Sequence, residues 1–201
     1  MKKMMLLGAL LVCAAAVGNA QESRQDISVS GIGVFGPTVN GEGIKANTLG
    51  SVGFLGSYRY SVTPRSGLEA NYSYIQNNMK FQRSGTSEVY VHVRMEEASF
   101  AYTYSRNYHN FNPFVEIGVG AIIFTPITDY ATNQLGLKQN TSIGLLSGGG
   151  LAYEISPSFD IRAEYRGFLL KTPDFGNPSG DYKTNRYEWL TLPSIGVAYH
   201  F

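Results

Sequence analysis

Eight side chains have the types and spacing to act on one another: Arg59, Glu69, Glu116, Glu154, Arg162, Glu164, Arg166 and His200. Arg162, Glu164 and Arg166 are two residues apart, so an extended chain puts all three on one face, because strand side chains alternate. Carboxylates held close together could work as general acid and base. Carboxylates interleaved with guanidiniums predict ion pairs instead, and a charge taken out of water must be paired. Arg59 and Glu69 fit this second pattern, since they are expected to face each other diagonally across a hairpin. We read the eight as an ion-pair network filling a narrow interior, with an ion-lined pore as the alternative.

Other chemistry is thinly represented. The histidines are His92, His109 and His200. A Ser/His/Asp arrangement could be assembled from His92, Asp129 and a loop serine, but triads are recognised by geometry and no local motif selects that trio. There is no HExxH spacing and no calcium-loop pattern. Gly148-Gly149-Gly150 falls inside a strand pattern rather than between strand and helix, so it reads as room for neighbours and not as a phosphate loop. The expectation is no catalytic residue, no cofactor and no metal.

These residues need a scaffold, and both ends of the sequence speak to it. Residues 1–20 read as a secretory signal peptide: Lys2 and Lys3, an apolar run, then Gly18 and Ala20 before Gln21. Cys13 is the single cysteine and lies in that leader, so residues 21–201 hold no thiol and no disulfide. Without Lys2 and Lys3 there are 14 basic against 15 acidic side chains, a balance that argues against nucleic acid. Mean hydropathy is −0.11, so no apolar helix is expected to cross a bilayer.

After residue 26 the hydrophobic period is 2 nearly throughout. Val52, Phe54, Tyr58, Tyr60 and Val62 share one face, opposite Ser51, Gly53, Ser57 and Arg59, with Leu55 an exception. The pattern recurs at Leu68–Tyr74, Ala98–Tyr104, Val115–Ile123, Ile143–Ile155, Ile161–Leu169 and Tyr187–Phe201. A first strand near Asp26–Phe35, whose faces the pattern leaves ambiguous, makes about eight strands, the lower limit for a membrane barrel. Joins near 63–66 and 156–159 are short, and one near 105–112 is of middle length. Those near 36–49, 75–90, 125–140 and 171–186 are long and polar. In the last, Phe175 and Tyr182 offer a contact surface.

A soluble barrel turns its apolar face inward; a membrane barrel turns it to lipid and adds aromatic girdles. Here Tyr58, Tyr60, Tyr102, Tyr153, Trp189, Tyr199 and Phe201 crowd the apolar face toward strand ends, as interfacial anchors do. The opposite face carries Gly, Ser and complementary charges. The expected fold is therefore all-β: an eight-stranded antiparallel up-and-down transmembrane barrel over 21–201, with the last strand closing on the first.

The stretches PFVEIGVGAIIF (113–124), SGGGLAYEISPSFDIRAEYRG (147–167) and LPSIGVAYHF (192–201) resemble the bacterial outer-membrane β-barrel family, the small OmpA/OmpX- and opacity-type, porin-like barrels. The resemblance implies location in the outer membrane, contact with outer-membrane lipid, and a terminal aromatic, Phe201, read as an assembly signal by the barrel-assembly machinery. It implies a monomer and an extracellular partner reached through loops, with no nucleic acid. The function expected is non-enzymatic, structural or surface-interacting. The alternatives are a small-solute pore, then a lipid-modifying outer-membrane enzyme, then a soluble lipocalin-like binder.

Overall fold

The computed structural model describes residues 24–83, 88–127, 137–176 and 183–201, so the 1–20 leader, Asp129 and Tyr182 lie outside the described residues. Among the described residues ten strands form in chain order: β1 (Gln25–Val34), β2 (Val39–Gly41), β3 (Ile44–Thr48), β4 (Ser51–Thr63), β5 (Ser66–Arg83), β6 (Val89–Ser105), β7 (Phe111–Pro126), β8 (Asn140–Ser156), β9 (Phe159–Lys171) and β10 (Tyr187–His200). Eight of them close a barrel. β4, β5, β6, β7, β8, β9 and β10 follow in order, and β1 joins β4 to β10, every pair antiparallel. Closure runs from Asp26↔His200 to Ile32↔Ser194, and the Phe201 amide donates to the Gln25 carbonyl at 2.9 Å. A closed barrel leaves no edge unpaired, the condition for strands in lipid.

The short joins are local turns. At Thr63–Ser66 the Thr63 hydroxyl accepts the Ser66 amide at 3.0 Å, and β4 is bulged at Ser61/Thr63. The ambiguous first strand resolves cleanly. Asp26, Ser28, Ser30, Ile32 and Val34 face inward, and Ile27 and Val29 face outward.

Two of the four long joins are largely sheet, contrary to expectation. Residues 36–49 contain β2 and β3, joined across Glu42 and Gly43 at φ 51° and 77°, the left-handed pair that a two-residue hairpin turn requires. In 75–90, β5 and β6 continue pairing as far as Phe81↔Val89. They reach 18 and 17 residues, whereas about 9–11 tilted residues cross a bilayer. The excess of about seven residues at ~3.3 Å each carries this hairpin roughly 20 Å along the strand beyond what a bilayer needs, and β7 and β8, at 16 and 17 residues, are nearly as long. β3 pairs with the hairpin's upper part, from Thr48↔Met79 to Ile44↔Arg83. The extension persists because Ile75, Met79 and Phe81 of β5 and Val91, Val93 and Met95 of β6 point inward into one buried apolar cluster.

Around the outside runs an exposed apolar belt that includes Val29, Val52, Phe100, Ile117, Ile143 and Ile195. Rings close its short-turn rim: Phe111 with Tyr153 at 4.9 Å, Phe159 with Tyr199 at 5.1 Å, and Tyr199 with Phe201 at 6.0 Å.

Candidate functional site

The charged residues converge inside the lower barrel, toward the short-turn end. Strand alternation puts Arg59 (β4), Glu69 (β5), Glu97 (β6), Glu116 (β7) and Arg162, Glu164 and Arg166 (β9) on inner faces. Arg59 and Glu69 are direct cross-strand partners rather than diagonal ones. The Arg59 Nε donates to Glu69 Oε2 at 2.7 Å, and Arg162 Nη2 reaches the same oxygen from across the lumen. Arg162 also lies 3.8 Å from Asp26 Oδ1 and 3.9 Å from Glu164 Oε1. Its guanidinium and that of Arg59 each sit 4.7 Å from the Phe114 ring, a cation–π arrangement that fixes both planes.

A second group lies beside the first. Arg166 Nη2 donates to Glu97 Oε2 at 3.0 Å, while the Ser73 and Ser99 hydroxyls each donate to Glu97 at 2.8 Å. The Ser194 hydroxyl donates to Glu164 Oε2 at 3.3 Å. The glycine run makes the room expected of it. A Cβ on Gly148 would lie 2.6 Å from the Arg166 Cβ, and one on Gly150 would lie 2.6 Å from the Phe114 ring.

Six of the eight predicted residues thus form one connected neighbourhood: Arg59, Glu69, Glu116, Arg162, Glu164 and Arg166. The other two do not join it. Glu154 is half-buried at the short-turn rim, where its amide bonds Asn110. His200 pairs with Asp160 at 3.0 Å in the mouth. Both lie at the last rungs before the turn, and His200 borders the network through Asp26, its cross-strand neighbour. Asp26, Glu97 and Asp160 were missed. Asp26 sits on the strand whose faces the pattern leaves ambiguous, and Glu97 lies one residue before the Ala98–Tyr104 alternation.

Several buried polar atoms among the described residues make no hydrogen bond within the protein, among them both amide atoms of Asn71, both oxygens of Glu116, and Nε and Nη1 of Arg162 and Arg166. Such atoms need water or an ion. A cavity of about 360 Å³ opens at the short-turn mouth, lined by Arg24, Asp26, Arg59, Ser66, Asp160 and His200 among others. Phe114 and the two guanidiniums on its ring adjoin it.

Above the charges the lumen is mostly apolar and packed, with Glu188 of β10 a buried carboxylate among the apolar side chains. Leu55, Leu146, Phe168, Leu170 and Leu190 are at most 1% exposed. Phe175, expected at the surface of a polar loop, is fully buried and packs edge-on against Phe81 at 6.0 Å. The backbone of the 171–176 segment folds over the barrel, with the Lys138 amide bonding the Phe175 carbonyl at 2.9 Å. His92 lies on the upper part of β6, away from His200, and Asp129 of the candidate triad lies outside the described residues.

The family model for the outer membrane protein β-barrel domain matches residues 4–201. Solved structures similar to this chain include outer-membrane barrels. OprG of Pseudomonas aeruginosa superposes with a TM-score of 0.65 at 13% identity, over 90% of this chain and 98% of that one. Neisserial surface protein A gives a TM-score of 0.60 at 13% identity, over 89% and 98%. The attachment invasion locus protein Ail of Yersinia pestis, in complex with the heparin analogue sucrose octasulfate, gives 0.50 at 16% identity, over 89% and 99%. No curated protein matches the sequence.

Proposed function

The chain belongs to the outer-membrane protein β-barrel family and sits in the bacterial outer membrane, and on that premise we propose that it is a non-enzymatic, non-conducting barrel with a surface-interaction role. The observation that carries this reading is the extension of β5, β6 and the β2–β3 hairpin. A strand pair about seven residues longer than a bilayer needs, held rigid by its own apolar core, is a platform rather than an anchor. The lumen beneath it is filled by two packed layers, ionic and apolar, which favours a plug over a pore.

In this reading the short turns and both chain ends face the periplasm and the extension faces outward, following the usual asymmetry of turn lengths. An epitope tag at Gly176 is expected to be antibody-accessible on intact cells and one at Arg65 is not; the reverse inverts the topology. Phe201 serves as the signal for the barrel-assembly machinery.

Two measurements test the function. The purified barrel in a planar bilayer is expected to show no unit conductance, whereas steady single-channel steps would establish the pore instead. Cells carrying the full extension should attach to a partner surface better than cells in which Ile75–Met95 is replaced by a tight turn. Immobilised heparin is the first probe, because Lys45 and Lys80 lie on the outer face of the extension. Equal attachment across several surfaces would leave a structural role only.

A further inference from the structure

The buried charges of the lower barrel do not balance. Five carboxylates (Asp26, Glu69, Glu97, Glu116 and Glu164) meet three guanidiniums (Arg59, Arg162 and Arg166). Asp160 is paired separately with His200. Two negative charges therefore lack a cation, in a place where an unpaired charge is strongly destabilising.

The surplus is localised. One oxygen each from Glu69, Glu116 and Glu164 lies within 4.8 Å of the other two. The hydrogen bonds of the guanidiniums go elsewhere: Glu69 spends Oε2 on both Arg59 and Arg162, and Arg162 stands off at 3.9 Å from Glu164 Oε1. Glu164 gives Oε2 to Ser194. Left over are Glu69 Oε1, Glu164 Oε1 and both oxygens of Glu116, all buried and none with a hydrogen-bond donor. Glu116 is the telling case. It is only 4% exposed, and neither of its oxygens has a partner. Gly148 leaves it that space, since a Cβ there would fall 2.8 Å from Glu116 Oε1.

We propose that Glu69, Glu116 and Glu164 bind one divalent cation, calcium, in the barrel lumen. An all-oxygen carboxylate set selects a hard cation. Three carboxylates from three different strands make an irregular set, which calcium accepts with its flexible coordination, whereas magnesium demands near-octahedral geometry and gives up its water reluctantly. Water drawn from the mouth cavity completes the coordination. The ion's double charge cancels the surplus that the arginines leave.

The competing neutraliser is the proton, and the experiment separates the two. The full chain is refolded in detergent, stripped with EDTA and dialysed against radiolabelled calcium at mildly alkaline pH, where carboxyls in water are ionised. A single calcium retained per chain is expected, together with a rise in Tm by several degrees on adding calcium, since a ligand of the native state stabilises it. Glu116→Gln should lose both effects, while Glu42→Gln, in the β2–β3 turn, keeps them. If Glu116→Gln does not refold, Glu164→Gln takes its place. The proposal fails if no calcium is retained, or if the variant retains as much as the parent. It also fails if acidification raises Tm while calcium does not, for then the carboxylates share protons. Retention of magnesium in preference to calcium would overturn the choice of ion.

Discussion

Below the rung where Ser73 pairs with Glu97, β5 and β6 turn Glu69, Asn71 and Ser99 inward and Leu68, Tyr72 and Phe100 outward. Above the rung where Ile75 pairs with Met95, the same two strands turn Met79, Phe81 and Val93 inward, with Gln76, Lys80 and Arg94 on the outer face. The period stays at 2 while its sign inverts at the same height on both strands, with the inward, buried Asn77 the exception on β5. In lipid the outer face must be apolar and the interior takes the polar groups; in water an apolar interior is what holds strands together. One hairpin thus obeys two solvents along its length. The two halves of the lumen should answer differently to damage.

The largest effect is expected in the ionic half. Glu69→Ala removes the carboxylate that holds both Arg59 and Arg162, leaving two guanidiniums buried beside Phe114. A loss of about 3–5 kcal/mol is expected, because breaking a buried ion pair strands its partner. Urea unfolding of the refolded barrel measures it. A loss below about 1 kcal/mol would mean that water reaches these charges and screens them as it does a surface pair.

In the apolar half the cost comes from lost contact and cavity, not from charge. Leu146→Ala, at a fully buried position, is expected to lose about 3 kcal/mol. The two variants separate in rescue. Adding Arg162→Met to Glu69→Ala removes one stranded guanidinium and should recover part of the loss, whereas the same change should recover nothing of Leu146→Ala. Equal behaviour in the two backgrounds would erase the distinction between the halves.

This inversion also explains what could be read from sequence. Along Val115–Ile123 the outward residues are apolar and Glu116, Gly118 and Gly120 point in, so strand, face and location were all legible. Gln76, Asn78, Lys80 and Gln82 made the top of β5 look like loop, because polar outward residues there answer to water and not to lipid. The inward Met79 and Phe81 were the signal, visible only if the alternation is followed through its change of sign. Leu55 looks like an exception for the same reason, since it lies inward above the charged layer, as Leu146 does. The partners of Glu69 were legible in part. Arg59 is two strand-ends away through a tight turn, but the Arg162 contact spans 93 residues and depends on barrel closure.

A smaller and more local effect is expected where the plug meets the loop. Phe175 is fully buried against Phe81, yet it sits outside the strands. Phe175→Ala should therefore speed hydrogen exchange at Lys138, whose amide bonds the Phe175 carbonyl, and leave the Arg162 layer protected. Faster exchange throughout β9 would show that the two halves unfold as one unit.

The smallest effect lies at the tip of the extension, outside the membrane. Lys80 and Glu88 form an ion pair there, and the Tyr90 hydroxyl donates to Glu88 at 2.9 Å. The hydrogen bond from Lys80, and after it the one from Tyr90, holds the Glu88 carboxyl below its ordinary value of 4.5. The same bond to Glu88 raises the Lys80 ammonium above its ordinary 10.5. A depressed carboxyl adds stability that is fully present above its unfolded value and is lost as pH falls through the folded one. A raised ammonium adds stability that is present below its unfolded value and is lost as pH rises through the folded one. The pair therefore steadies the tip across the neutral range and releases it at either extreme. Hydrogen exchange at Val89–Val91, corrected for the intrinsic pH dependence of exchange, should show protection declining as the solution is acidified through the carboxylate range. Glu88→Gln should flatten that decline while global unfolding stays where it was. A decline that persists in the variant would assign it to acidic groups lower in the barrel. The ionic half would then reach the tip after all, and the boundary at Ile75–Met95 would not insulate one from the other.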